Sequence, residues 1–238
     1  MLPPPFVRKK GSHTGISDMH CIPSGDVAMK TNIAFPEDGR TVGGIAYRTI
    51  LRTIATIGQQ TQPRTFAHVQ PHAHATARLS RLFAAACHPN RKSRPPNLDE
   101  IEYSAYLHDI GKYFIDPSVL LKPGSLDEEE KAVMRLHPSY GATVISKLPG
   151  TTDAVRRVIF HHHEHWDGSG YPEGLFGTAI PLEARIVSIV DVYTSLRAKR
   201  TYKPTLRKWA ALSTLTEMAG YELDPYLVED FVRIVSQI

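Results

Sequence analysis

The sequence predicts an all-α fold from about residue 43 onward, preceded by an irregular extension over residues 1–42. Three observations carry that expectation. Apolar residues recur three or four positions apart in one segment after another, as on one face of a helix. Few stretches alternate apolar and polar residues as a half-buried strand would. The extension holds Pro3, Pro4, Pro5, Gly11, Gly15, Pro23, Gly25, Pro36 and Gly39 with little periodicity, a composition of turns and loops. The chain therefore divides into an N-terminal extension, 1–42, and one domain, 43–238.

The helices follow in order. Tyr47, Ile50, Leu51, Ile54 and Ile57 form one amphipathic face. A second helix runs from about Ala73 to Ala86, with Leu79, Leu82, Phe83 and Ala86 on one side. The stretch from His88 to Asn97, rich in Pro and Arg, is a loop. Leu98 to His108 forms the third helix, where Asn97, Asp99 and Glu100 suit the N-terminus. Ser125-Leu126-Asp127-Glu128 matches a capping box that opens another helix. Thr151 or Thr152 begins a helix that reaches about His163. Pro181 to Leu196 follows, with Ile186, Val187, Ile189, Val190 and Val192 mostly buried. Leu206 to Ala219 and Pro225 to Val235 close the chain.

At 238 residues, 42% hydrophobic and 22% charged, the chain has the composition of one good-sized soluble domain. The formal charge of +4 mildly favours an anionic partner such as a phosphate-bearing small molecule. Without a Lys/Arg tract it does not imply a nucleic acid polymer. No apolar run reaches the roughly 18 residues of a spanning helix, so no membrane association is expected. Cys21 and Cys87 make neither a metal-binding pair nor a disulfide framework. A reducing cytoplasm is the expected location.

The densest chemistry lies at His161-His162-His163-Glu164-His165-Trp166-Asp167, which turns at once into Gly168-Ser169-Gly170-Tyr171-Pro172. Adjacent imidazoles are poor packing groups, because a core must satisfy their nitrogens. His108-Asp109 sits where a helix ends before Gly111; alone, it reads equally as a C-capping His beside a solvated Asp. His137 before Pro138 is, alone, an ordinary structural residue. Asp191 lies in an apolar run and needs a cation, either a metal or an Arg or Lys partner. His74 is preferred over its neighbours His68 and His72 because the apolar face that follows turns it inward. Together, His74, His108, Asp109, His137, His162, His163 and Asp191 come from five helices. They are too many for one tetrahedral zinc and suit two cations bridged by a carboxylate and a water. The set lacks cysteine, which points to iron or manganese.

These residues, in this order, resemble the HD-GYP family of the HD phosphohydrolase superfamily. The matching segments are His108-Asp109-Ile110-Gly111-Lys112, Leu121-Lys122-Pro123-Gly124, His137 with Gly141, and His162-His163-Glu164. They continue with Asp167-Gly168-Ser169-Gly170-Tyr171-Pro172 and Asp191-Val192-Tyr193 with Arg200, Tyr202 and Lys203. The likeness is firm over about 98–235 and weaker back to about 43. It implies an HD-superfamily helical bundle core with a bi- or trinuclear metal site, and hydrolysis of cyclic di-GMP to pGpG and often on to GMP. It also implies a role in bacterial second-messenger signalling. Carried over, the ligands are the seven residues above, with Asp109 as the bridge. Lys112 sits by the scissile phosphate and assists the leaving group. Arg200 and Lys203 hold phosphates, while Gly170, Tyr171 and Pro172 shape the loop near the guanine.

There are departures from the family pattern. Gln70 stands where members with a third metal carry Glu, which favours two ions. Thr194 replaces a second Asp, and Arg197 replaces a small or polar residue. These leave two alternatives: a catalytically weak binding or scaffold protein, and a hydrolase of another cyclic dinucleotide such as cyclic GMP-AMP. As partners, the reading leaves open a homodimer or a signalling protein.

Overall fold

A computed structural model of the chain describes residues 41–42, 45–87, 96–148, 151–198 and 205–237, with side chains from Ile50 onward. Thr41 and Val42 apart, the expected extension lies outside the described residues, as do Arg200, Tyr202 and Lys203. The expectation of an all-α fold holds. The only strands among the described residues are β1, Thr41–Val42, and β2, Ile45–Ala46, paired antiparallel with Thr41 opposite Ala46.

Ten helices follow among the described residues. They are α1 (Tyr47–Thr61), α2 (Pro63–Cys87), α3 (Leu98–Leu107), α4 (Pro117–Leu120) and α5 (Glu128–Met134), then α6 (His137–Ile145), α7 (Asp153–His161), α8 (Leu182–Arg197), α9 (Lys208–Met218) and α10 (Pro225–Ser236). A 3-10 turn over Ile110–Phe114 joins α3 to α4. Local chemistry sets the starts. Asn97 accepts from the amides of Asp99 and Glu100 at α3, and Thr152 from Val155 at α7. The capping box falls two residues later than the sequence predicts: Asp127 accepts from the Glu130 amide, and Glu130 reaches back to the Asp127 amide, both at 2.9 Å. An Asp carboxylate with a Glu three positions on satisfies both orphan amides, whereas Glu128, three positions after Ser125, accepts from Lys131 Nζ at 2.7 Å instead.

α2 differs most from expectation. It starts ten residues earlier than about Ala73 and carries Pro71 inside it. Proline removes an amide donor and disfavours a helix interior, which conceals the first part of α2 in the sequence. The buried stripe of α2 is Val69, Ala73, Thr76, Ala77, Ser80, Phe83, Ala84 and Cys87. Its mostly small side chains let α2 pack closely on α3 and α8. Leu82, expected inside, is 53% exposed, as is Ile57 of α1.

α8 is apolar on several sides because it divides two cores. Ile186, Ile189 and Val190 pack with Phe83, Leu215, Leu227 and Phe231. Val187 packs with Leu51, Tyr103, Leu107, Ile145 and Ile159. Gly111 packs the 3-10 turn onto α6: a Cβ there would meet the His137 carbonyl oxygen at 1.8 Å and the Gly141 amide at 2.7 Å. Only glycine lets Asp109 and His137 come this close.

The core shared with α10 ends at a buried ion pair. Arg185 of α8 donates from Nη1 to Asp224 Oδ2 at 2.6 Å, and Asp224 also caps α10 through the amides of Tyr226 and Leu227. Removing the carboxylate leaves a mostly buried guanidinium and uncapped amides. Asp224→Ala is expected to cost about 3–5 kcal/mol in a urea unfolding series, with Asp224→Asn losing less because the amide oxygen still caps.

Candidate metal centre

Three histidines are aimed inward by the same device. His108 caps the end of α3, His137 opens α6, and His162 caps the end of α7. Each presents Nδ1 to the backbone carbonyl three residues earlier: His108 to Ala105 at 2.7 Å, His137 to Met134 at 2.8 Å, and His162 to Ile159 at 2.8 Å. A carbonyl can only accept, so Nδ1 carries a proton and Nε2, bare whenever the ring is neutral, is the nitrogen turned inward.

Asp109 lies among these nitrogens. Its Oδ2 is 3.3 Å from His108 Nε2 and accepts from Lys112 Nζ at 2.6 Å, while Oδ1 is 3.3 Å from His137 Nε2. Two sets of donor atoms form, each with its atoms within 4.8 Å of one another. One is Asp109, His137, His162 and His163; the other is His72, His108 and Asp109. Asp191 Oδ1 joins the second set, 2.6 Å from His72 Nε2 and 3.6 Å from His108 Nε2. Asp109 belongs to both.

The donors fit a pair of cations. His108 Nε2 and Asp109 Oδ1 are buried and make no hydrogen bond. His137 Nε2 and His162 Nε2 lie 3.3 Å apart, two lone pairs facing each other unless a proton or cation lies between them. Buried donors left this way are costly, and a divalent ion satisfies several at once. Imidazole and carboxylate without thiolate suit a borderline ion.

The charge balance agrees. Burial and the neighbouring imidazoles hold His162 well below the usual histidine range. Burial, then His137, pushes His163 down to about 3. Burial would raise the Asp109 carboxyl, but His108 and Lys112 outweigh it and hold it well below the carboxylate range. Asp191 is held low in the same way, burial being opposed by His108 and His72. Burial disfavours a charged His108, yet Asp109 and then Asp191 together lift it to about 10. Without a metal, the centre thus keeps a proton on His108.

Of the predicted ligands, the structure brings together His108, Asp109, His137, His162, His163 and Asp191. His74 is not among them: its Nε2 lies 2.9 Å from Gln70 Nε2 and its ring is edge-on to Tyr106. His72 lies in the cluster instead, because it shares a helix face with the buried Val69 and Thr76, whereas residues two apart on a helix point in nearly opposite directions. Gln70 bonds to His74 and Tyr106. It therefore says nothing about the number of ions; the residue one turn before His72 is His68.

The loop is built onto the centre. Glu164, 2% exposed, accepts from the amides of Glu173 at 2.8 Å and Leu175 at 3.0 Å. A Cβ on Gly170 would lie 2.2 Å from the His165 nitrogen, so only glycine fits against that backbone. Tyr171 donates its amide to the His163 carbonyl at 3.1 Å and stacks on the His163 ring, with centroids 5.0 Å apart. The exposed Arg135 places its guanidinium 5.6 Å from the Tyr171 ring centre. Pro172 is exposed. Sequence reasoning gave no role to Arg135, and Glu164 entered it only as part of a motif. A carboxylate between the histidines and a Gly/Pro loop was the available signal for Glu164; Arg135 carried none.

The HD domain family matches residues 62–227. A cyclic di-GMP phosphodiesterase of Vibrio cholerae is 33% identical over 222 residues, covering 88% of this chain and 44% of that protein. The cyclic di-GMP phosphodiesterase response regulator RpfG of Xanthomonas campestris pv. campestris is 46% identical over 139 residues, 58% of this chain and 37% of that protein. A 3'3'-cGAMP-specific phosphodiesterase of Vibrio cholerae is 35% identical over 183 residues, covering 76% and 34%. The chain thus spans less than half the length of these curated relatives. Among solved structures, an HDG"Y"P protein from Bdellovibrio bacteriovorus superposes with a TM-score of 0.59 at 18% identity, covering 80% of this chain and 64% of that one. That likeness establishes the fold.

Because the proton on His108 leaves when a cation takes its Nε2, metal binding at pH 8 should release protons. The heat of Mn(II) binding is therefore expected to vary with the ionisation enthalpy of the buffer. A buffer-independent heat would contradict a protonated metal-free His108.

Proposed function

This chain belongs to the HD domain family, among its HD-GYP members, and from that premise we propose that it is a metal-dependent phosphodiesterase hydrolysing cyclic di-GMP to pGpG. The observation that carries this reading is the sharing of Asp109 by two histidine sets around buried, unpartnered Nε2 and Oδ1 atoms. Seven residues would hold two divalent ions of iron or manganese: His72, His108 and Asp191 on one side, His137, His162 and His163 on the other, and Asp109 between. A bound pair of cations supplies an activated water and a clamp for the phosphoryl group.

The chain's own groups do the rest. The carbonyls of Ala105, Met134 and Ile159 hold three imidazoles in place beforehand, so little reorganisation accompanies the reaction. Lys112, partly exposed beside Asp109, steadies the carboxylate and stands ready to give a proton to the departing ribose oxygen. Gly170 lets the loop lie flat on the centre, so that Tyr171 walls it at His163. Arg135 adds a cation at the mouth for a substrate phosphate, beside the role proposed for Arg200 and Lys203. Pro172 would face the base.

A second reading, hydrolysis of a cyclic GMP-AMP, is favoured by the cGAMP-specific relative. Both substrates are diffusible anions, which agrees with a chain in which no described helix is long and apolar enough to cross a membrane. The cysteine usage supports a cytoplasmic site of action.

The test is turnover of cyclic di-GMP and 3'3'-cGAMP, side by side, on Mn(II)- and Fe(II)-loaded protein with product identification. The expected result is pGpG from cyclic di-GMP, falling to background in His108→Ala and Asp109→Ala. Preferential turnover of the second substrate would replace the first reading with the second. Intact substrates with two metals bound would leave a binding or scaffold protein.

A further inference from the structure

His72 is oriented differently from the other inward-facing histidines. Its Nδ1 has no carbonyl three residues earlier among its partners. It lies 3.4 Å from Thr194 Oγ1 of α8 instead. Thr194 is 8% exposed and Thr76, beside it on α2, is fully buried. Their hydroxyl oxygens are 2.9 Å apart. Thr194 Oγ1 also lies 2.8 Å from the Val190 carbonyl and 3.1 Å from that of Asp191, and Thr76 Oγ1 lies 3.0 Å from the His72 carbonyl and 3.5 Å from His72 Nε2.

Each hydroxyl has one proton and two lone pairs. If Thr76 donates to Thr194, Thr194 donates to Val190. If Thr76 donates to the His72 carbonyl, Thr194 donates to Thr76. Either way, Thr194 Oγ1 keeps a lone pair for a proton on His72 Nδ1. That proton location leaves Nε2 bare toward Asp191 and His108, as a metal ligand requires.

The hydroxyl differs from a carbonyl in one respect: it can donate as well as accept. When no cation is present, Nε2 can give its proton to Asp191 Oδ1, 2.6 Å away, while Nδ1 accepts from Thr194. His72 thus has a satisfied arrangement with and without a cation. His108, His137 and His162, each with Nδ1 held to a carbonyl, cannot change tautomer in this way.

We propose that Thr194 is the positioning residue of His72, and that its hydroxyl makes the cation position formed by His72, His108 and Asp191 the exchangeable one of the two. This rests on the two-cation reading above. The position with four donors, Asp109, His137, His162 and His163, is the tighter.

The experiment is a titration of Mn(II) into the metal-free protein of residues 1–238, with free Mn(II) counted by electron paramagnetic resonance. Wild type is expected to bind in two steps. Thr194→Val, close in shape and lacking the hydroxyl, should weaken only the weaker step, by about 10–100-fold; Thr194→Ser should restore it. His137→Ala should weaken the tighter step. Melting temperatures of the metal-free variants are read alongside, with Thr194→Ala replacing Thr194→Val should the latter not fold. Unchanged binding in Thr194→Val overturns the inference and leaves the two-cation reading standing. Equal weakening of both steps with a lowered melting temperature also overturns it, as a structural effect. Wild-type protein that binds no Mn(II) overturns both.

Discussion

The Asp109 carboxylate is the point on which this molecule turns. It is buried, it faces two imidazoles through different oxygens, and it holds Lys112 at 2.6 Å. A carboxylate this deep stays ionised only among cations. The surrounding helices are arranged to provide them. α3 ends one residue before His108, the 3-10 turn carries Lys112 back over the carboxylate, and Gly111 allows α6 to bring His137 against it. The long α2 and the central α8 meet across small side chains and set His72 against Asp191 on the remaining side.

Most of this centre was legible in the sequence because its residues sit at helix ends, where signals are strong. His108-Asp109 before Gly111 and His162-His163 before a Gly/Pro loop mark places where backbone leaves a helix and side chains converge. The caps at Asn97 and Thr152 were legible for the same reason. Mid-helix residues were harder. His72 and His74 lie on opposite sides of α2, and choosing between them needs its buried stripe. That stripe is built mostly of Ala, Thr and Ser, and Leu82 points outward, so apolar periodicity indicated the wrong face. Pro71 hid the first ten residues of the same helix. Contacts that close only through the fold, such as Arg135 over Tyr171 or Thr194 beside His72, leave no mark on sequence spacing.

The loop that distinguishes the centre is fixed from within. Glu164 binds two of its amides, and the amides of Trp166 and Asp167 reach the carbonyls of Glu222 and Tyr221 before α10. Tyr171 is thereby pressed on His163, one of the inward imidazoles. Loop and histidine cluster are thus joined by hydrogen bonds and ring stacking, and on the proposed reading a substrate bound at the loop would meet a centre already in position. Such preorganisation is where electrostatic catalysis gains most of its advantage.

The central claim is that Asp109 stands between two cations. A crystal of the Mn(II)-loaded protein, measured at the manganese absorption edge, tests it directly. The account predicts two anomalous peaks flanking the Asp109 carboxylate, roughly 3.5–4 Å apart, one toward His72, His108 and Asp191 and the other toward His137, His162 and His163. A single peak ligated without Asp109, or a peak at His74, would contradict it.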